Sequence, residues 1–419
     1  MNKLNVYFLE NQVGILYLGP DGFEFSYTKQ WLENKNSFAV SQQLPLEDVS
    51  FVQAAQTYFS NLLPEGKIRN ILAKRLGISE SNDYELLKRI GVDCAGALSL
   101  LPADYKQKDK ENLKVSLAEI YQKYKEQPII QLGFQQEQVR LSLAGAQDKI
   151  ALIYKAQEND IPRFEIPQSQ EPSTHILKIP SKDYKNLVEN EKFVTELAKL
   201  CDLPTAPQKM LGYAGTNFLL IERYDRFQQK DKIVRLHQED FCQSLGIGYQ
   251  HKYQSEGGPS FKESFQLVEN VSSDVIQDIE LLLKWLIFNV AVGNCDNHGK
   301  NLSLLKEHEK NKWSLAPFYD FVCTRLYKTL SHQQAMSVGG EFDTGNLALK
   351  HWQKEMDGLN YKFIRFKEEI ALPTLESIRL GTEVLLTEQR KSKKNDFYRQ
   401  LTKAILTQTR RTEKSLYDG

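Results

Sequence analysis

A nine-residue stretch, Gly293-Asn294-Cys295-Asp296-Asn297-His298-Gly299-Lys300-Asn301, follows an apolar run that ends near Val292. It sets a carboxylate, Asp296, five residues ahead of an amide, Asn301. Phosphoryl transfer needs a carboxylate to orient the attacking hydroxyl and accept its proton, and hard oxygen donors for magnesium. A hairpin pattern over Leu302 to Ala316 then turns the chain back and delivers a second carboxylate, Asp320, beside the same loop. That carboxylate, with Asn301, would hold magnesium across the phosphates of ATP. Asp and Asn also build ordinary polar turns. The helix before the loop, the hairpin after it and Asp320 at the hairpin exit select the chemical reading.

Upstream, Ser142-Leu143-Ala144-Gly145-Ala146-Gln147-Asp148-Lys149 lies between two strand patterns. Its small residues would let backbone N–H groups approach phosphate oxygens, and Lys149 would add charge. The bland reading is a hairpin turn. Lys178 sits on the apolar strand pattern THILK, either at a solvent-facing edge or turned inward to grip phosphates. Glu191, in the helical segment VENEKFVTEL, is the partner that would hold Lys178 extended. FLLIERYDR ends another strand pattern at a junction between two halves. There the backbone of Glu222, Arg223 and Tyr224 would hydrogen-bond adenine, or their side chains would simply pack and pair. Cys295 and His298 have no second ligand at metal spacing. The basic runs at 390–394 and 403–411 read as solvated helix faces.

The elements that must position these groups can be read along the chain. Residues 1 to about 125 form a small mixed module. Three β patterns (NVYFL, VGILYL, FEFSY) are separated by turn residues, and a helical segment runs from about Val52 to Leu76. Nothing in this module has the residue types of a catalytic site, so it is expected to be accessory. A polar stretch from Tyr105 to Gln127 marks the boundary. Strand patterns then recur to about residue 226, and from about Gln238 the chain reads as helical apart from the hairpin LSLL and WSLA. The expected architecture is α+β: a bilobal protein-kinase-like fold with a strand-rich lobe at 126–226 and a helical lobe at 227–419. Asp with Asn five residues later is the spacing of the protein-kinase catalytic loop.

Bulk properties agree. Lys plus Arg and Asp plus Glu both number 54, so the formal net charge is zero and no bulk polyanion partner is suggested. Hydrophobic residues are 41% of 419, ample for sizeable cores. Five scattered cysteines without a CxxC pair suggest neither a zinc site nor a disulfide framework. The start, MNKLNVYFLENQVG, is not a signal-peptide pattern, and the longest apolar stretch is too short to span a bilayer. A cytoplasmic location is expected.

Several longer segments together resemble the HipA family of bacterial toxin kinases. These are LSLAGAQDKIAL, STHILKIP, NE at 190–191, ERYDR, RLHQEDFCQSLG, the GGP of YQSEGGPSF, NVAVGNCDNHGKNLSLL and LAPFYDF, with FSNLLPEGKIRN and LLKRIGVDCAGAL in the first module. The resemblance implies that Asp296 is the catalytic base and that Asn301 and Asp320 bind magnesium. Ala144 to Lys149 would cover the ATP phosphates and Lys178 would contact them. Glu222 to Tyr224 would take the base, and His298, Gly299, Lys300 and Tyr319 would also line the ATP site. Ser142 stands where the family carries an autophosphorylated serine that ejects the phosphate loop. The implied target is an aminoacyl-tRNA synthetase, first of all glutamyl-tRNA synthetase. The implied partner is a HipB-like helix-turn-helix antitoxin, with operator DNA bound mainly through it. Two departures from protein kinases in general stand out: Asp320 is followed by Phe321-Val322 instead of Phe-Gly, and Lys300 lies four residues after Asp296 instead of two.

Two other classes share part of this pattern. A catalytically silent module in an antitoxin–DNA complex would not need Lys178, Asp296, Asn301 and Asp320 all intact. A small-molecule phosphotransferase would share the loop, but not the N-terminal module or the serine of the phosphate loop.

Overall fold

Leu4, Val6, Leu16, Phe23 and Phe25 alternate with more exposed neighbours and are almost completely buried. That period of two is the mark of strands laid over one core. In the computed structural model, which describes residues 3–105, 111–126, 148–155, 162–168, 171–230, 232–307 and 312–418, they form an antiparallel sheet. Its strands are β1 (Lys3–Phe8), β2 (Asn11–Gly19), β3 (Gly22–Tyr27), β4 (Ser50–Phe51) and β5 (Leu98–Pro102), in the order β4-β3-β2-β1-β5. Helices α1 (Lys29–Leu32), α2 (Gln53–Ser60), α3 (Gly66–Leu76) and α4 (Asp83–Ile90) complete the module. The single helix expected over Val52 to Leu76 is two helices, because Pro64 in the connecting turn has no N–H to continue the ladder.

The second body is a six-stranded antiparallel sheet in the order β10-β11-β9-β7-β8-β6. Its strands are β6 (Leu113–Val115), β7 (Lys149–Lys155), β8 (Arg163–Ile166), β9 (His175–Lys178), β10 (Gln208–Tyr213) and β11 (Thr216–Glu222). Helices α5 (Leu117–Glu126) and α6 (Leu187–Leu200) accompany it. The boundary drawn at residue 125 is displaced here: β6 pairs with β8, and Leu117, Ile120 and Tyr121 of α5 join the apolar core of this sheet. A hydrogen-bonded ladder and a shared apolar core outweigh a polar stretch of sequence.

The third body carries the large core. Helix α9 (Val275–Val292) is apolar on nearly every side, and Leu282, Leu283, Trp285, Leu286, Phe288 and Val290 are all buried. A helix of that kind must lie inside a bundle. It packs against α8 (Phe261–Val271), α12 (Leu372–Glu388) and α13 (Asn395–Ser415), while α7 (Phe241–Ser244), α10 (Leu349–Gly358) and α11 (Phe363–Arg365) lie around them. This lobe holds more strand than the single hairpin expected. A hairpin of β12 (Arg226–Gln229) and β13 (Lys232–Arg235) leads in, and β14 (His237–Asp240) joins β15 (Ser303–Glu307) and β16 (Lys312–Leu315) as a third strand. A further pair, β17 (Gln333–Val338) and β18 (Glu341–Asp343), follows. These strands are short and show no apolar alternation; long-range pairing makes them strands. The fold is a bilobal kinase-like α+β architecture with an N-terminal module. Among the described residues no helix is long and apolar enough to cross a membrane, and all five cysteines are buried free thiols.

Buried charge joins the module to the lobes. Asp93, just after α4, accepts hydrogen bonds from Arg226 (2.9 Å) and from the Ser173 hydroxyl (2.6 Å), with Arg223 and Arg235 at 3.7 and 3.5 Å. Asp225 takes Arg223 at 2.8 Å and the Gly96 N–H of the module at 2.8 Å. Burial alone would raise the Asp93 carboxyl, but Arg226, Arg235 and Arg223 hold it far below the usual range. Removing one partner of such a set leaves uncompensated charge in a low dielectric. Asp93→Ala is therefore expected to cost roughly 3–5 kcal/mol, read as a lower urea-unfolding midpoint of the full chain; a midpoint equal to wild type would refute the coupling.

Candidate active site

Strand β9 ends on Lys178, whose Cα partner across the ladder is Lys149 of β7. Helix α6 places Glu191 under that strand, and the Lys178 ammonium donates to Glu191 Oε1 at 2.6 Å. A second bond goes to Asp320. Burial would strip the proton from Lys178, yet Asp320 and Glu191 reverse that effect and raise its pKa. Burial would likewise neutralise Asp320, but Lys178 and then Lys149 hold its carboxyl at about 2. It is an anion at any physiological pH. Lys149 has its ammonium pKa lowered by burial, with Asp320 working against the shift.

Asp320 has a left-handed backbone, φ 59°. Asp tolerates that region better than most residues, and such conformations persist where surrounding packing imposes them. Phe318 and Phe321 on either side are buried, and Phe321 packs edge-on against Phe288 of α9 with ring centroids 5.0 Å apart. Phe321 is thus seated in the core of the lobe, while Val322 is only half-buried.

The loop of Asp296 begins where α9 ends at Gly293, φ 73°. A Cβ there would lie 3.0 Å from the Arg325 side chain, so glycine permits both the turn and the packing. Asn294 Oδ1 accepts from the Asp296 N–H at 3.2 Å, and Asn301 Nδ2 donates to the Asp296 carbonyl at 2.6 Å. With its N–H₂ committed, Asn301 has its amide oxygen left as a donor for a cation. Ionised Asp320 and that amide oxygen are hard ligands, a fit to magnesium shared with phosphate oxygens. Among the described residues no three His, Cys, Asp or Glu gather into a self-sufficient metal cage. The Asp296 side chain is 53% exposed to the cleft. His298 is buried, and burial lowers its pKa despite Asp296 nearby. Gly299 has no room for a side chain, since a Cβ would come within 2.6 Å of Pro259.

Two expectations of the sequence are redirected. Lys300 donates to the Asn61 carbonyl at 3.1 Å, to Asn61 Oδ1 at 2.8 Å and to Asp240 Oδ2 at 2.8 Å. An ammonium has three donors, and all three are spent on these acceptors, although Lys300 lies at the wall of a cavity. Burial would discharge it; Asp240 and Glu65 keep it protonated. The Arg223 guanidinium is likewise consumed by Asp225, Ser173 and the Cys94 carbonyl. Its backbone N–H donates to Thr174 at 3.0 Å, and that of Glu222 to Pro207 at 2.9 Å, so neither N–H is free for adenine. Tyr224 stacks on Tyr319 with ring centroids 6.0 Å apart, forming one wall.

Two cavities adjoin at these groups. One of about 350 Å³ is lined by Lys149, Lys178, Asp296, Asn301 and Asp320. The other, of about 150 Å³, shares Lys178 and Asp320 but is walled by Ile176, Ile221, Tyr224 and Tyr319. A charged chamber beside a narrower, more apolar slot suits a polyphosphate joined to a flat base. The N-terminal module, read as accessory, reaches both. Lys67 and Ile68 line the first, and Asn61, Leu62, Glu65 and Ala95 line the second. Glu65 also accepts from Lys252 at 2.9 Å. Sequence reasoning gave these residues no role in the site, although they stand in FSNLLPEGKIRN and LLKRIGVDCAGAL, two of the segments that carry the family resemblance. Asp148 lines the larger chamber. Ser142, Ala144, Gly145, Ala146 and Gln147 lie outside the described residues.

Comparison with known proteins places this geometry. Residues 141–388 match the HipA-like C-terminal domain, and residues 4–101 match the HipA N-terminal domain. The chain is 40% identical over 337 residues to the Sinorhizobium fredii protein named "Putative kinase Y4mE", covering 78% of this chain and 79% of that one. It is 29% identical to the Shewanella oneidensis serine/threonine-protein kinase toxin HipA, over 84% of this chain and 83% of the relative. The solved structure of Shewanella oneidensis HipA with HipB and operator DNA superposes with a TM-score of 0.85 and 26% identity, covering 97% of each chain. With both domains matched in order and the fold shared from end to end, this chain belongs to the HipA family of serine/threonine kinases.

Proposed function

We propose that this kinase uses magnesium–ATP and that Asp296 is its catalytic base. The observation that carries the reading is the convergence of Lys178, Glu191, Asp320, Asn301 and Asp296 on one cavity. Lys178, fixed by Glu191, grips phosphate oxygens, with Lys149 adding charge from the facing strand. Asn301 and Asp320 would hold magnesium, which supplies charge neutralisation across the phosphates when bound. Asp296 orients an acceptor serine or threonine hydroxyl and takes its proton. The apolar slot between Ile176, Ile221 and Tyr224 receives the base. The backbone of Glu222 to Tyr224 contributes through its carbonyls and the Tyr224 N–H. His298, Gly299 and Tyr319 shape the floor.

At the level of biology, the reading is a type II toxin in the cytoplasm, inhibited by a HipB-like antitoxin that carries it to operator DNA. The support is the family and the complex solved for the Shewanella oneidensis relative. The target proposed is an aminoacyl-tRNA synthetase, glutamyl-tRNA synthetase first, whose phosphorylation would halt translation. Ser142, at the start of the phosphate loop, is proposed as the site of self-inactivating autophosphorylation. A phosphate there brings about −1.5 to −2 charges beside the ATP phosphates and opposes loop closure.

Three outcomes are expected. Asp296→Gln should abolish label transfer from γ-labelled ATP while nucleotide affinity stays near wild type, whereas Asp320→Gln should weaken magnesium–nucleotide binding as well; near wild-type transfer by Asp296→Gln ends the assignment. Expression without the antitoxin should arrest growth, and equal arrest by Asp296→Gln would mean that toxicity does not run through phosphoryl transfer. Mass spectrometry after incubation with magnesium and ATP should find phosphate on Ser142 in wild type and none in Asp296→Gln. A wild-type chain that turns over ATP for hours with Ser142 unmodified would remove the regulatory role alone.

A further inference from the structure

The backbone of Asp296 is held at both its N–H and its carbonyl, but its carboxylate is not held by the catalytic loop at all. His298 Nε2 stands 3.8 Å from Oδ1, beyond hydrogen-bond reach. The group that does reach is the hydroxyl of Tyr253, which donates to Asp296 Oδ1 at 2.7 Å. Tyr253 comes from a segment between α7 and α8 that no feature of kinase chemistry singles out.

That segment is anchored independently of Asp296. The Gly258 N–H closes it onto the Tyr253 carbonyl at 2.8 Å, and Gln254 Oε1 accepts from the Ser337 N–H of β17 at 2.7 Å. The neighbouring Lys252 bonds Glu65 of the N-terminal module at 2.9 Å. Pro259 closes against Gly299 of the catalytic loop, where no Cβ would fit. The Tyr253 ring meets His298 edge-on, centroids 5.3 Å apart at 85°. The fold therefore sets the place of the hydroxyl, and the carboxylate turns to meet it.

We infer that Tyr253 is a positioning residue for the base: by fixing Oδ1 it presents Oδ2 of Asp296 to the acceptor hydroxyl. In the transfer the acceptor oxygen bonds the terminal phosphorus, its proton passes to Oδ2, and the bond to ADP breaks. Tyr253 keeps its own proton throughout; burial and the Asp296 charge both raise the pKa of its phenol far above the working range. The inference rests on the assignment of Asp296 as base.

Tyr253→Phe removes the hydroxyl and keeps the ring against His298. The initial rate of label transfer from γ-labelled magnesium–ATP into the full chain is measured against ATP concentration. The maximal rate should fall about tenfold, a fraction of the roughly 10²–10⁴ that a general base supplies, while half-saturation by ATP stays put because Tyr253 touches the base and not the nucleotide. An unchanged maximal rate, a raised rate (the hydroxyl merely plugs the site) or a loss of ATP affinity alone would each overturn it. Asp296→Gln is run alongside: wild-type transfer by that variant sinks the base assignment itself, whereas its inactivity beside an unaffected Tyr253→Phe sinks only the role of the tyrosine. A crystal structure of Tyr253→Phe decides the point independently of turnover. The Asp296 carboxylate should be rotated or split between two orientations there, and one orientation identical to wild type would refute the inference.

Discussion

One ammonium group, Lys178, holds the catalytic half of this molecule in register. Taking a lysine out of water costs several kcal/mol unless partners compensate, and here two carboxylates from distant parts of the chain do so. Glu191 must come from α6 below, and Asp320 must come from the turn after the β15–β16 hairpin. Moving α6 by a turn, or relaxing Asp320 out of its left-handed backbone, would leave buried charge unpaired. The electrostatic requirement therefore fixes the spacing of a strand, a helix and the turn that carries Asp320 together. It also leaves two lysines, 149 and 178, over the chamber where phosphates would lie.

The N-terminal module is bound to this assembly by the same physics. The Asp93–Arg223–Asp225–Arg226–Arg235 cluster lies where β11 leaves for the second lobe, and Lys300 ties the catalytic loop to Asn61. Both contacts place module residues at the wall of the smaller cavity. Charges buried at a junction are costly to expose, so the module and the lobes behave as one structural unit. Glu65 extends the connection through Lys252 to the segment that carries Tyr253. The module is thereby linked to Asp296 through one intermediate segment.

That these residues would gather at one site was legible in the sequence because their spacing is local. Asp296 and Asn301 are five residues apart, and the loop between them can adopt few shapes once α9 stops at Gly293. Lys178 on an apolar strand, Glu191 on the next helix and Asp320 at the exit of a hairpin follow from short-range periodicity and turn chemistry. The strands β1 to β3, β9 to β11 and the helices α6 and α9 were readable for the same reason: each buries a face whose period shows in consecutive residues.

What only the tertiary structure decided is where side chains with several possible partners spend their bonds. Lys300 and Arg223 carry the residue types of nucleotide contacts, yet neighbours far away in sequence, Asn61 and Asp225 with Cys94, satisfy their donors first. The short strands β14, β17 and β18 exist because other strands pair with them, and β6 belongs to the sheet that it pairs with whatever the composition around it. Tyr253 reaches Asp296 across a separation of 43 residues. Periodicity reports which face of an element is buried; it carries no information on which distant group meets a given donor. That choice is made by long-range packing and by the cost of leaving a buried charge alone.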